Sequence, residues 1–237
     1  MKNLFGKPKV LVTVLSTMQH WVHPCLVPNL IQMSHDSRFT VEIEMVIDKC
    51  PVDYARNSCV VMARERKADF LFMIDADQSM EVNALDVLNV GLSKDVIGLP
   101  TMQNVDLEKV KTADAPIYPN FRTLARPERD GELFTVDRIG TGAMFINRRV
   151  WEKVRGPWFK FTQCENDELR AITMGEDFYF CELVQRHGFK IWSHTRVISH
   201  WKVSEVSRLG MFFETARQMA PNGGHAPAKV EWGKVRG

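Results

Sequence analysis

The chain has 237 residues, 45% of them hydrophobic, and a formal net charge of +2 from 31 basic and 29 acidic side chains. That is enough apolar material for one large domain with a substantial core. So even a balance of charge gives no global footprint of a nucleic-acid-binding protein.

Residues 10–15 (VLVTVL) are a short β-branched run of the kind that forms a buried parallel strand. A helix is expected over 22–33 after Pro24, and 39–46 (FTVEIEMV) alternates as a second strand does. Residues 53–67 carry apolar side chains at helical spacing, and 70–74 (FLFMI) are too short for a helix and apolar throughout, hence a central strand. A helix over 83–92 and a strand over 95–100 follow. Scattered prolines and charges over 101–135 suggest a hairpin or long loop. The glycine-rich turn of 140–147 (GTGAMFIN) leads into an apolar strand, then a short helix over 148–154. A helix over 176–186 has His187 and Gly188 as its stop signal, and short strands are expected over 189–192 and 195–198. Strands alternating with helices predict an α/β fold, a mostly parallel mixed central sheet flanked by helices. This domain takes in 1–203. Over 204–237 an amphipathic helix gives way at Pro221, Gly223, Gly224 and Pro227 to a mobile basic tail.

Five cysteines (Cys25, Cys50, Cys59, Cys164, Cys181), odd in number and without CxxC spacing, read as reduced thiols of a cytoplasmic protein. Residues 1–9 lack the apolar stretch of a signal peptide, and no run is long enough to span a bilayer.

The strongest local signal is Asp75-Ala76-Asp77 directly after the FLFMI strand, where parallel α/β sheets bind ligands. Two carboxylates one residue apart suit a hard cation such as Mg²⁺ or Mn²⁺, which neutralises a departing diphosphate; an acidic turn capping a helix has the same pattern. Glu176 and Asp177 open a helix whose positive end favours an ionised carboxylate, fit to take a proton from a hydroxyl. His200 follows the last short strand and is a candidate metal ligand, with His194 competing for the role. Gly140-Thr141-Gly142 lets backbone approach a ligand closely, or simply makes a tight turn.

Taken in order, AlaArgAsn at 55–57, FLFMIDAD at 70–77, GTGAMFINRRVWEKV at 140–154, GEDFYF at 175–180, HGFKIW at 187–192 and ISHW at 198–201 resemble the family-2-like GT-A glycosyltransferases. The resemblance runs from about Val10 to Trp201. It implies a Rossmann-like GT-A domain that moves a hexose or pentose from a UDP- or GDP-sugar to an acceptor hydroxyl. Asp75, Asp77 and His200 would hold Mn²⁺ or Mg²⁺, with Asp75 also touching the donor diphosphate. Asp177, beside Glu176, would be the general base of an inverting displacement. Thr141 and Gly142 would line the sugar pocket, Arg56 and Asn57 would border the nucleotide, and Asp48 is the counterpart of the family's base-holding aspartates. Compact members of bacterial or phage origin use glycans, lipids, proteins or hydroxymethylated DNA bases as acceptors. Arg122, Arg126, Arg129 and the basic tail would suit a phosphate backbone or an anionic lipid surface. A nucleotidyltransferase shares the metal carboxylates but carries a glycine-rich loop after strand one, and residues 16–23 hold no glycine. A catalytically silent sugar- or nucleotide-binding module is the third alternative.

Overall fold

Apolar runs that are buried on both sides form the centre of the sheet. The computed structural model describes residues 6–16, 22–47, 49–80, 83–100, 121–123, 133–163, 172–194 and 199–200. In chain order the elements are β1 (Lys9–Ser16), α1 (Leu26–Ser34), β2 (Thr40–Ile47), α2 (Val52–Glu65), β3 (Phe70–Asp75) and β4 (Gln78–Ser79). A 3-10 turn (Ala84–Asp86) leads into α3 (Val87–Gly91), then come β5 (Val96–Gly98), β6 (Phe121–Thr123), β7 (Leu133–Ile139), β8 (Ala143–Asn147) and α4 (Arg148–Lys153). The last are β9 (Thr162–Gln163), β10 (Ile172–Met174), α5 (Glu176–Arg186), β11 (Ile191–His194) and β12 (Ser199–His200).

Eight strands make one sheet in the order β2-β1-β3-β8-β5-β11-β7-β6. Their pairings set six strands in one direction and two, β7 and β8, against them, which is the mostly parallel mixed sheet expected. Because side chains alternate along a strand, each central strand feeds two cores. Leu71 and Met73 of β3 join Leu11 and Leu15 of β1, and Met144 and Ile146 of β8, under α2, α4 and α5. Phe70, Phe72 and Ile74 point the other way, with Val10, Val12, Val14, Ala143 and Phe145, to meet α1, the 3-10 turn and α3. Phe72 and Phe145 stack in that layer at 4.1 Å between centroids.

Two expectations differ in detail. The helix over 83–92 is a 3-10 turn followed by five α-helical residues, because Asn83 turns its side chain back to accept the Leu85 N–H at 3.0 Å. Within 101–135, β7 begins at Leu133; its alternation, with Phe134, Val136 and Ile139 buried, is masked in sequence by Asp137 and Arg138. The predicted strand over 195–198, Asp48, the loop arginines Arg126 and Arg129, and the whole of 204–237 lie outside the described residues. The described residues all belong to one compact unit within 1–201. Among the described residues no helix is long and apolar enough to cross a membrane.

Candidate active site

β3 ends in Asp75, and backbone hydrogen bonds hold the turn that follows from three directions. The Asp75 N–H donates to the Gly142 carbonyl at 2.8 Å, and the Ala76 N–H donates to Leu15 at the end of β1 at 2.9 Å. The Ala76 carbonyl in turn accepts from the His23 N–H at 2.7 Å. Two residues further on, Gln78 of β4 pairs with His200 of β12, so the backbone of His200 lies beside the residue that follows Asp77. α1 braces the same segment: the Asn29 amide donates to the Met80 carbonyl at 2.7 Å and accepts its N–H at 2.9 Å. His194 is buried on β11, three strands from β3 in the sheet order, which is about 14 Å at ~4.8 Å per strand.

One side chain joins four of the motifs. Arg56 of α2 is only 5% exposed. Its Nη2 donates to Asp75 Oδ1 at 3.4 Å, its Nη1 to the Thr141 carbonyl at 2.9 Å and its Nε to Glu176 Oε1 at 3.1 Å. A single guanidinium therefore spans the carboxylate at the end of β3, the turn before β8 and the start of α5. The planar fork of arginine makes this possible where a lysine ammonium would not. Asn57, the next residue, has both ends of its amide committed to backbone: it donates to Asp53 and Phe159 and accepts from the Trp158 and Phe159 N–H groups.

Gly142 is tightly covered. A Cβ there would come within 2.0 Å of Gln78 Nε2, so the Gln78 amide lies directly over it. Asp177, second residue of α5, accepts the Phe178 N–H at 2.7 Å through Oδ1. Its position at a helix start argues for easy ionisation, but the net shift is the reverse. Burial, and then the neighbouring Glu176 charge, hold the Asp177 carboxyl above the usual aspartate range, and the opposing pull of Arg56 is smaller. Burial lowers the His23 imidazole, partly offset by the charge of Asp77.

Asp75 and Asp77 offer the oxygen donors that a hard divalent cation prefers. Among the described residues no group of three or more His, Cys, Asp or Glu side chains forms a complete set for a metal. Asp75 and Asp77, at and just beyond the end of β3 with the His200 backbone near them, supply two carboxylates, fewer protein donors than a complete set.

The course of the chain is shared with A197 from STIV, over 82% of this chain and 86% of that one, at a TM-score of 0.57 and 16% identity. That likeness is one of fold. A structure of GalNAc-T7 with UDP, GalNAc and Mn²⁺ matches 84% of this chain and 44% of its own length, at a TM-score of 0.48 and 13% identity. A mannosyltransferase from Pyrobaculum calidifontis, in complex with GDP-Man and Mn²⁺, matches 94% and 66%, at 0.48 and 12% identity. This chain thus spans less than two thirds of either enzyme's structure. No family model matches the sequence, and no curated protein does.

Asn29 and Gln78 were not singled out in the sequence, and Arg56, expected to border the nucleotide, spends its guanidinium on Asp75, Thr141 and Glu176. The partners of Arg56 stand 19, 85 and 120 residues away, and nothing in a linear reading brings them together.

Proposed function

We propose that this chain is a GT-A-type glycosyltransferase that moves a sugar from a UDP- or GDP-sugar onto an acceptor hydroxyl with inversion. The observation that carries the reading is the reach of Arg56 across Asp75, Thr141 and Glu176. A diphosphate-binding carboxylate, a backbone turn able to border a sugar and a pair of acceptor-side carboxylates then share one locus, the arrangement that a displacement at an anomeric carbon requires.

Asp75, Asp77 and His200 would hold Mn²⁺ or Mg²⁺, which when bound neutralises charge on the leaving diphosphate. Asp177 takes the proton of the acceptor hydroxyl as its oxygen forms the new bond to the anomeric carbon. The nucleoside diphosphate departs from the opposite face. A carboxylate whose pKa is raised is a stronger base, closer to the working pH. Glu176, already paired with Arg56, orients the start of α5 and leaves the proton transfer to its neighbour. Thr141 and Gly142 border the sugar, and the missing Cβ of Gly142 makes room for the Gln78 amide that covers it.

Thermal shift with UDP and GDP, each with and without Mn²⁺, tests the reading. A ligand at 100 times its Kd stabilises by about 2.7 kcal/mol, and the shift is expected to need the metal. Asp75→Ala and Asp77→Ala should abolish it. Asp177→Asn should keep it while donor turnover falls by roughly two to four orders of magnitude. A full metal-dependent shift in both alanine variants would overturn the assignment of the two aspartates.

A further inference from the structure

Among the described residues, a single buried side-chain polar atom has no hydrogen-bond partner: Oε1 of Gln78. The residue is 2% exposed. It follows Asp77 directly, its backbone pairs with His200, and its amide covers Gly142. Buried acceptors are almost always satisfied, and an exception calls for a cause. Here it falls between the Asp75-Ala76-Asp77 turn and the Gly140-Thr141-Gly142 turn, not in a remote part of the core.

We propose that Gln78 is a specificity-determining residue of the donor site, its amide oxygen accepting a hydrogen bond from a ring hydroxyl of the donor sugar. This rests on the glycosyltransferase reading above. An acceptor atom needs a donor, which excludes the diphosphate oxygens as its partner. A cation would satisfy the oxygen end of the amide only. A hydroxyl, both donor and acceptor, satisfies the amide once rotation about its broad terminal torsion turns the buried oxygen toward the ligand. The neutral amide also sits against Gly142, whereas Asp75 and Asp77 already supply charge for a metal. A site with a built-in polar group rejects an analogue that lacks the matching hydroxyl, because the group is then left unpaired.

The test uses the full chain with Mn²⁺ and calorimetric titration of UDP, GDP, UDP-glucose, GDP-mannose and the deoxy analogues of each sugar at every ring hydroxyl. Wild type is compared with Gln78→Met and Gln78→Leu, two side chains of similar size without the amide, so that one folded variant suffices. At one hydroxyl position the wild type should lose about tenfold or more in affinity on deoxygenation, the scale of one hydrogen bond. In the variants the parent sugar should weaken by that factor, the penalty at that position should vanish, and UDP or GDP should bind within twofold of wild type. Deoxy penalties that persist unchanged in the variants at every position would overturn the proposal, as would a parallel fall in Mn²⁺ affinity, which would make Gln78 a metal ligand. Failure of both UDP and GDP to bind wild type with Mn²⁺ would remove the glycosyltransferase reading, and this inference with it. Normal diphosphate binding without any Gln78-dependent hydroxyl effect removes the inference alone.

Discussion

Asp177 answers to two demands that pull against each other. As the proposed base it must lose its proton near the working pH; as a buried neighbour of Glu176 it resists doing so. Its pKa in the fold lies above that in the unfolded chain, so the folded state holds the proton more tightly. The stabilising contribution is therefore complete below the ordinary aspartate range and is lost as pH rises through the raised value. Asp177→Asn removes the buried charge and should raise the melting temperature at pH 7–8, a gain that shrinks toward pH 4. The acid limb of kcat in the wild type should lie above the usual carboxylate range. A variant less stable than wild type at neutral pH would show that the charge is compensated. Of the candidate site residues, Asp75 and Asp77 stood out in the sequence because an apolar run ends abruptly at two acids, and Asp177 because it opens a helix. The direction of its shift was not legible, since the helix start predicts the opposite sign and burial decides.

At the level of elements, Arg56 locks α2 to the end of β3 and to α5. It is a buried cation with a close carboxylate on α5, and removing one partner of such a pair costs about 3–5 kcal/mol because the other is left charged and unpaired. Arg56→Met should destabilise by that order. Arg56→Met with Glu176→Gln should recover a large part of it, the non-additivity expected of groups in contact; denaturant titration of the two singles and the double reads it directly. Simple addition of the losses would mean that the pair is not coupled. Helix ends behave more locally. Gly188 follows α5 with φ at +83° and nothing within 4 Å of where a Cβ would stand. Gly188→Ala therefore meets no clash and should cost only the left-handed backbone penalty, about 1–2 kcal/mol by chemical denaturation. That stop signal was visible in the sequence. The strand β7 was not, because Asp137 and Arg138 interrupt its alternation, and Arg138 finds its counter-charge only in the folded state, in Glu182 of α5.

For the molecule as a whole, the two-sided core was readable from FLFMI and VLVTVL, whose lack of alternation already implies cover on both faces. The strand order, with β8 inserted antiparallel between β3 and β5, was not readable, because an apolar run carries no direction. The thiols report on one of those cores. Cys59 on α2 and Cys181 on α5 sit in the same layer, and burial pushes them up to about 11 and about 12. Cys25 and Cys50 are exposed. A thiol reagent at pH 7.5, followed by peptide-resolved mass spectrometry, should modify Cys25 and Cys50 at once. Cys59 and Cys181 hold almost no thiolate at that pH and no open path to it, so they should react slowly and at one common rate, set by opening of the layer that Arg56 ties together. Saturating UDP or GDP with Mn²⁺, bound across Asp75 and the start of α5, should slow both equally, by about a hundredfold at 100 times Kd where opening is rapid and requires release of the ligand. Protection of Cys181 with unchanged labelling of Cys59 would mean that α2 opens independently of the site, and that the Arg56 bridge does not couple the two helices.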